Sequence, residues 1–112
     1  MMRTLLCATG LALLLAGCGG SSGALTIAMK DMHFRPAEVH VRAGGSVTLR
    51  VVNEDGYAHA FDIDAFAIHQ PLAAHETAEI TFTPEAAGRY SFYCGSPGHV
   101  AAGMTGMLIV EE

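Results

Sequence analysis

From residue 38 onward, apolar and polar residues tend to alternate one for one, and turn signals cut the pattern at short intervals. A period of two puts successive side chains on opposite faces of an extended backbone, so a chain written this way folds as short strands with one buried face. Leu25 to Met29 is a short apolar run, and Val39 and Val41 alternate with Glu38, His40 and Arg42. After the turn Ala43-Gly44-Gly45, Val47, Leu49 and Val51 alternate with Thr48, Arg50 and Val52, and Asn53-Glu54-Asp55-Gly56 is a strong turn signal. Ala78, Ile80 and Phe82 form another register, and Pro84 to Gly88 reads as a loop. Tyr90, Phe92 and Cys94 share a face, and Met107 to Glu111 supplies a last strand in which Met107 is expected to fill the core. No segment carries a helical period. Some seven or eight short strands predict an all-β Greek-key β-sandwich. The segment 64–75 lacks a clear pattern and is expected to hold a loop or a short helical turn.

The N-terminus follows a different logic. Arg3 is a positive start, and Leu5 to Ala16 is nearly all apolar. That stretch is too short for a membrane-spanning helix, which needs about 20 apolar residues. It reads as a signal peptide over residues 1–17. Its ending, Leu15-Ala16-Gly17-Cys18, resembles the lipobox of bacterial lipoproteins, which implies acylation of Cys18; an ordinary secretory signal is the plainer alternative. Residues 18–23 would then be the lipidated cysteine and a Gly/Ser tether, with a reach of about 12 Å. The domain proper is residues 24–112. The expectation is an exported chain, anchored by lipid and facing the periplasm or the extracellular side.

Charge narrows the partners. Loss of Arg3 with the leader leaves five Lys+Arg against 11 Asp+Glu, a net charge of −6. An acidic domain does not suit nucleic acid, which wants a basic face. It suits a basic protein partner. Of the three cysteines, Cys7 leaves with the leader and Cys18 carries lipid, so Cys94 is left as a lone thiol. Exported proteins usually pair their cysteines, and an unpaired one is either a small buried hydrophobe or a ligand.

The neighbours of Cys94 favour the ligand. The run from Tyr90 to Met104 sets a thiolate, an imidazole and a thioether on one loop at Cys94-x4-His99-x4-Met104 spacing. Pro97-Gly98 bends the loop so that His99 can return toward the sulfur, and Gly103 allows a second bend before Met104. One thiolate, two imidazoles and a weak axial thioether make a blue-copper electron-transfer site. The second imidazole must come from elsewhere. His59, just after the 53–57 turn at a strand end, is the best placed; His69 and His75, flanking the unpatterned segment, are alternatives.

On these residues the chain resembles the cupredoxins, specifically their small single-domain blue (type 1) copper proteins. Met32 to Val39 is similar to their N-terminal strand pair, Ala43 to Val47 to the turn that follows, and Tyr90 to Gly106 to their ligand loop. The ligand spacing is similar to that of auracyanins and rusticyanins. The resemblance implies one copper ion, Cu(I) or Cu(II), held by His59, Cys94, His99 and Met104. It also implies electron transfer through the exposed edge of His99, with redox proteins as donor and acceptor. One departure is Ala60, where many members carry Asn or Ser, and it makes the reduction potential less predictable.

Other chemistries fit less well. A dinuclear copper centre needs a second cysteine where Gly98 stands, and multicopper oxidases need His-x-His pairs. Structural zinc usually takes a fourth Cys or His. Cys94 on a core-facing register, with no oxyanion device, is a poor nucleophile. Met29, Met32 and His33 are a weaker candidate for a second copper, and His40 reads as solvated. The expected role is a monomeric electron shuttle, not an enzyme. A copper carrier or buffer with the same ligands is the first alternative. A copper enzyme acting on a small molecule such as a nitrogen oxide is the second, disfavoured because Met104 fills the axial position.

Overall fold

A computed structural model describes residues 24–112. The signal peptide 1–17, Cys18 and the tether 18–23 lie outside the described residues. The rest folds as nine strands: β1 (Leu25–Lys30), β2 (His33–Arg35), β3 (Glu38–Arg42), β4 (Val47–Asn53), β5 (His59–Ile63), β6 (Ile68–Leu72), β7 (Thr77–Phe82), β8 (Gly88–Tyr93) and β9 (Thr105–Glu111). They form a four-stranded sheet in the order β2-β1-β4-β7 and a five-stranded sheet in the order β3-β9-β8-β5-β6. The chain passes repeatedly from one sheet to the other, which makes β1 parallel to β4 and β3 parallel to β9 while the remaining pairs are antiparallel. The expected all-β sandwich is observed.

Nine strands form where seven or eight were expected, and the two least legible in the sequence are β2 and β6. β2 has three residues, too few to display a period. β6 lies in the unpatterned segment, after the 3-10 turn Asp64–Phe66 and a left-handed Ala67. Its Pro71 weakens the sequence signal, yet β6 is the edge of its sheet, where a missing N–H faces no partner strand.

The inward registers build the core. Val47, Leu49 and Val51 of β4 face Phe61 and Ile63 of β5, Phe92 of β8, and Leu108 and Val110 of β9, all buried. Fully burying side chains of this size contributes about 1.5–3 kcal/mol each. Phe34, Phe61 and Phe92 meet with ring centroids 5.1–5.8 Å apart. Gly106, paired with Phe92 across β8 and β9, lets that ring lie over the backbone: a Cβ there would collide with the Phe92 ring and come within 2.7 Å of the Ala37 carbonyl oxygen. Met107 departs from expectation. The buried residues of β9 are Leu108 and Val110, whereas Met107 and Ile109 are half-buried on the opposite face.

Candidate metal centre

The site forms where three inward registers run out at one end of the sandwich. Alternation along β5 turns His59, Phe61 and Ile63 inward, and His59 is the first of them. Along β8, Phe92 is inward and Cys94 continues that face one step past the strand. Asn53 ends the inward face of β4 as its last residue. The pairing of Asp62 with Tyr93 joins β5 to β8 and brings the His59 end of one beside the Cys94 end of the other.

The loop from Cys94 to Met104 is held by its own main chain. The His99 amide donates to the Ser96 carbonyl at 3.1 Å and the Gly103 amide to the Val100 carbonyl at 2.9 Å. Met104 donates to the His99 carbonyl at 3.0 Å and accepts from the Cys94 amide at 3.1 Å. The left-handed backbone at Gly98 (φ 80°) and Gly103 (φ 97°) makes these bends, as the sequence implied.

Three donor atoms converge. His59 Nδ1 lies 3.1 Å from His99 Nδ1, and Cys94 Sγ lies 3.2 Å from His99 Nδ1 and 3.8 Å from His59 Nδ1. A metal with bonds of about 2.0–2.3 Å in trigonal or tetrahedral geometry keeps its donors about 3.3–4 Å apart. The triangle therefore fits one ion to within a few tenths of an ångström. Met104 is fully buried beside the loop. One soft thiolate, two imidazoles and a nearby thioether are the donor chemistry of copper. Burial, and then the neighbouring His59, push the His99 imidazole below its ordinary value, in the direction that favours the neutral form a metal needs.

Two surrounding groups were not foreseen from the sequence. The Ala60 amide donates to Cys94 Sγ at 3.3 Å. The group reaching the sulfur from position 60 is thus the backbone N–H, which any residue but proline would supply. The other is Asp55, which is buried and receives His59 Nε2 on Oδ2 at 2.7 Å. Burial works to raise the Asp55 carboxyl, but the bonds from His59, the Asp31 amide and Tyr57 outweigh it and hold it below the usual carboxylate value. The turn signal at 53–56 marked a bend and gave no sign that one of its carboxylates would fold back onto an imidazole.

The remaining candidates go elsewhere. His69 stands on β6 with its side chain 62% exposed, 3.5 Å from Asp62, and His75 is exposed in the loop before β7. Neither belongs to the cluster, which among the described residues is the one grouping of three or more His, Cys, Asp or Glu able to hold a metal. Met29 is buried in the core against Phe34's strand while His33 is exposed, so alternation separates two members of the suggested second site. His40 is exposed as expected, between Glu38 and Glu111.

The sequence model of the cupredoxin-like domain matches residues 5–110. Auracyanin-A of Chloroflexus aurantiacus is 30% identical, over 98% of this chain and 96% of that protein. The copper-resistant cuproprotein CopI of Pseudomonas aeruginosa is 24% identical, over 81% of this chain and 77% of that protein. Reduced auracyanin of Roseiflexus castenholzii shares the fold, with a TM-score of 0.73 at 23% identity, over 83% of this chain and all of that one.

Proposed function

The chain belongs to the cupredoxin family and is a blue copper protein, and on that premise we propose that it carries single electrons between larger redox proteins. The observation that carries this reading is the convergence of His59, Cys94 and His99 on one point, with Met104 buried beside them. Bound there, copper would supply a one-electron couple, and His59, Cys94, His99 and Met104 are the residues that would hold it.

The chain's own part is to hold those groups still and admit a partner. The main-chain bonds of the 94–104 loop fix three of the four residues independently of the metal. Phe61 and Phe92, the next inward residues from His59 and Cys94 along their strands, are fully buried, so the core beneath the site is apolar. Its outer side is uncharged: Gly95 to Met107 contains no Asp, Glu, Lys or Arg, and Val100 is 48% exposed beside half-buried His99. Such a surface suits brief contact with a redox partner, while the domain's net negative charge steers encounter with a basic one. No substrate is needed for this role, and the protein acts as a carrier rather than an enzyme. A leader over residues 1–17, followed by an acylated Cys18, fits work outside the cytoplasm, held to a membrane by lipid.

Copper delivery is the second reading, favoured by the likeness to CopI, whose name states a role in copper resistance. The two differ in what leaves the protein. A shuttle reduced and reoxidised through many cycles keeps its copper, whereas a carrier surrenders it to a chelator of moderate affinity. Adding Cu(II) to the purified chain should give one equivalent bound and an intense thiolate-to-copper band. Cys94→Ser should abolish that band, and its survival would place the site elsewhere.

A further inference from the structure

We propose that Asp55 is a positioning residue of the copper site, whose carboxylate fixes the His59 ring with Nδ1 toward the metal and favours Cu(II) over Cu(I). The inference rests on the ligand reading given above. His59 has a fully buried side chain, so no solvent can serve its Nε2, and Asp55 Oδ2 at 2.7 Å is the partner it has. An ionised carboxylate only accepts hydrogen bonds, so Nε2 must carry the proton and Nδ1 is left with a free lone pair. That lone pair is on the atom that faces Cys94 and His99.

The carboxylate is itself held in place. Both of its oxygens accept the Asp31 amide, Oδ2 at 3.0 Å and Oδ1 at 3.3 Å. Asp31 and Met32 lie in the left-handed region (φ 50° and 63°), so the turn between β1 and β2 presents that amide from a conformation unusual for residues with side chains. On the other side, the Asp55 amide donates to Asn53 Oδ1 at 3.0 Å, while Asn53 Nδ2 donates to the carbonyls of Tyr57 at 2.8 Å and Ala73 at 2.9 Å. The β1–β2 turn thus holds the carboxylate directly, Asn53 ties the Asp55 backbone to Tyr57 and to the loop at Ala73, and the carboxylate hands that rigidity to one imidazole.

A carboxylate on the far nitrogen raises the basicity of a ligating histidine and fixes its tautomer, and losing such a partner typically costs 10–100-fold in metal affinity. A negative charge beside the ring also stabilises the more positive ion. Asp55→Asn keeps the shape and an acceptor oxygen but removes the charge. It should retain one copper and the blue band, weaken Cu(II) more than Cu(I), and raise the reduction potential. A tenfold difference between the two affinities corresponds to about 59 mV for one electron. Leu49→Ala, in the core away from the site, serves as the control for lost stability and should lower the melting temperature without moving the potential. An Asp55→Asn protein that binds copper at the wild-type potential overturns the proposal. Should that variant not fold, ¹⁵N NMR of histidine-labelled wild-type protein loaded with Cu(I) decides: a protonated Nε2 on His59 is expected, and a proton on Nδ1 overturns it. Failure of the wild-type chain to bind copper at all would instead sink the ligand reading.

Discussion

At the scale of the residue, the two methionines near the end of the chain divide the roles of tuning and packing. Met104 is fully buried between the ligand loop and β9, while Met107 is half-buried on the outer face of β9. An axial thioether binds weakly, so its removal should tune the site rather than empty it. Met104→Leu should keep copper and colour and raise the potential, because Cu(II) loses more from the missing donor than Cu(I) does. Met104→Gln should lower it, since oxygen is a harder ligand. Met107→Leu should leave the spectrum unchanged and cost less than about 1.5 kcal/mol, as volume-conserving swaps do. Redox titration and urea unfolding of the three variants check these outcomes. A potential that moves with Met107 and not with Met104 would reverse the axial assignment.

At the scale of the element, the parallel pair β3 and β9 is bridged on its solvent face. His40 of β3 bonds Glu111 of β9 through Nδ1 at 2.9 Å and Glu38 through Nε2 at 2.8 Å. Glu111 first, and Glu38 second, raise the His40 imidazole above its ordinary value of 6.5. A raised folded-state value makes the pairing stabilise the sheet fully below about pH 6.5, and that stability is lost as pH rises through the folded value. NMR titration of the His40 ring should give a midpoint above 6.5, returning toward it in Glu111→Gln. The group is solvent-exposed, so the same variant should leave thermal stability nearly unchanged. A midpoint below 6.5 would show that the bridge does not persist in solution.

At the scale of the whole molecule, the copper ligands come from β5 and the β8–β9 loop, so an ion bound between them ties together strands that an empty site joins less firmly. Binding to the folded state alone adds about 4 kcal/mol when free metal exceeds its Kd a thousandfold. In a domain of this size each kcal/mol moves the melting temperature by about 4–8 °C. Stripping copper should therefore lower it by more than about 10 °C in calorimetry, and re-addition should restore it. The membrane attachment proposed above is tested on the same scale. Mass spectrometry of the native N-terminus should find an acylated Cys18, and Cys18→Ala should yield an uncleaved or soluble protein. An unmodified mature chain beginning elsewhere would refute the anchor.

The sequence by itself determined most of the sheet-forming segments, because a period of two is a local property written residue by residue. It likewise implied that Cys94 and His99 would meet, because Pro97-Gly98 and Gly103 bend a loop too short to carry them far apart. Tertiary structure decided the rest. Alternation groups Met107 with Ile109 and Leu108 with Val110, but both pairs are apolar, and only the approach of the second sheet settled that Leu108 and Val110 are the buried pair. β6 showed itself only when β5 offered an edge to pair with, since Pro71 hides the strand from any local reading. The bond from the Ala60 amide to Cys94 belongs to the backbone and has no side chain by which a sequence could announce it. Asp55 looked like any polar turn residue. Whether its carboxylate meets water or the imidazole of His59 depends on where β1, β4 and β5 end in space, and that is fixed by the packing of the two sheets rather than by the four residues of the turn.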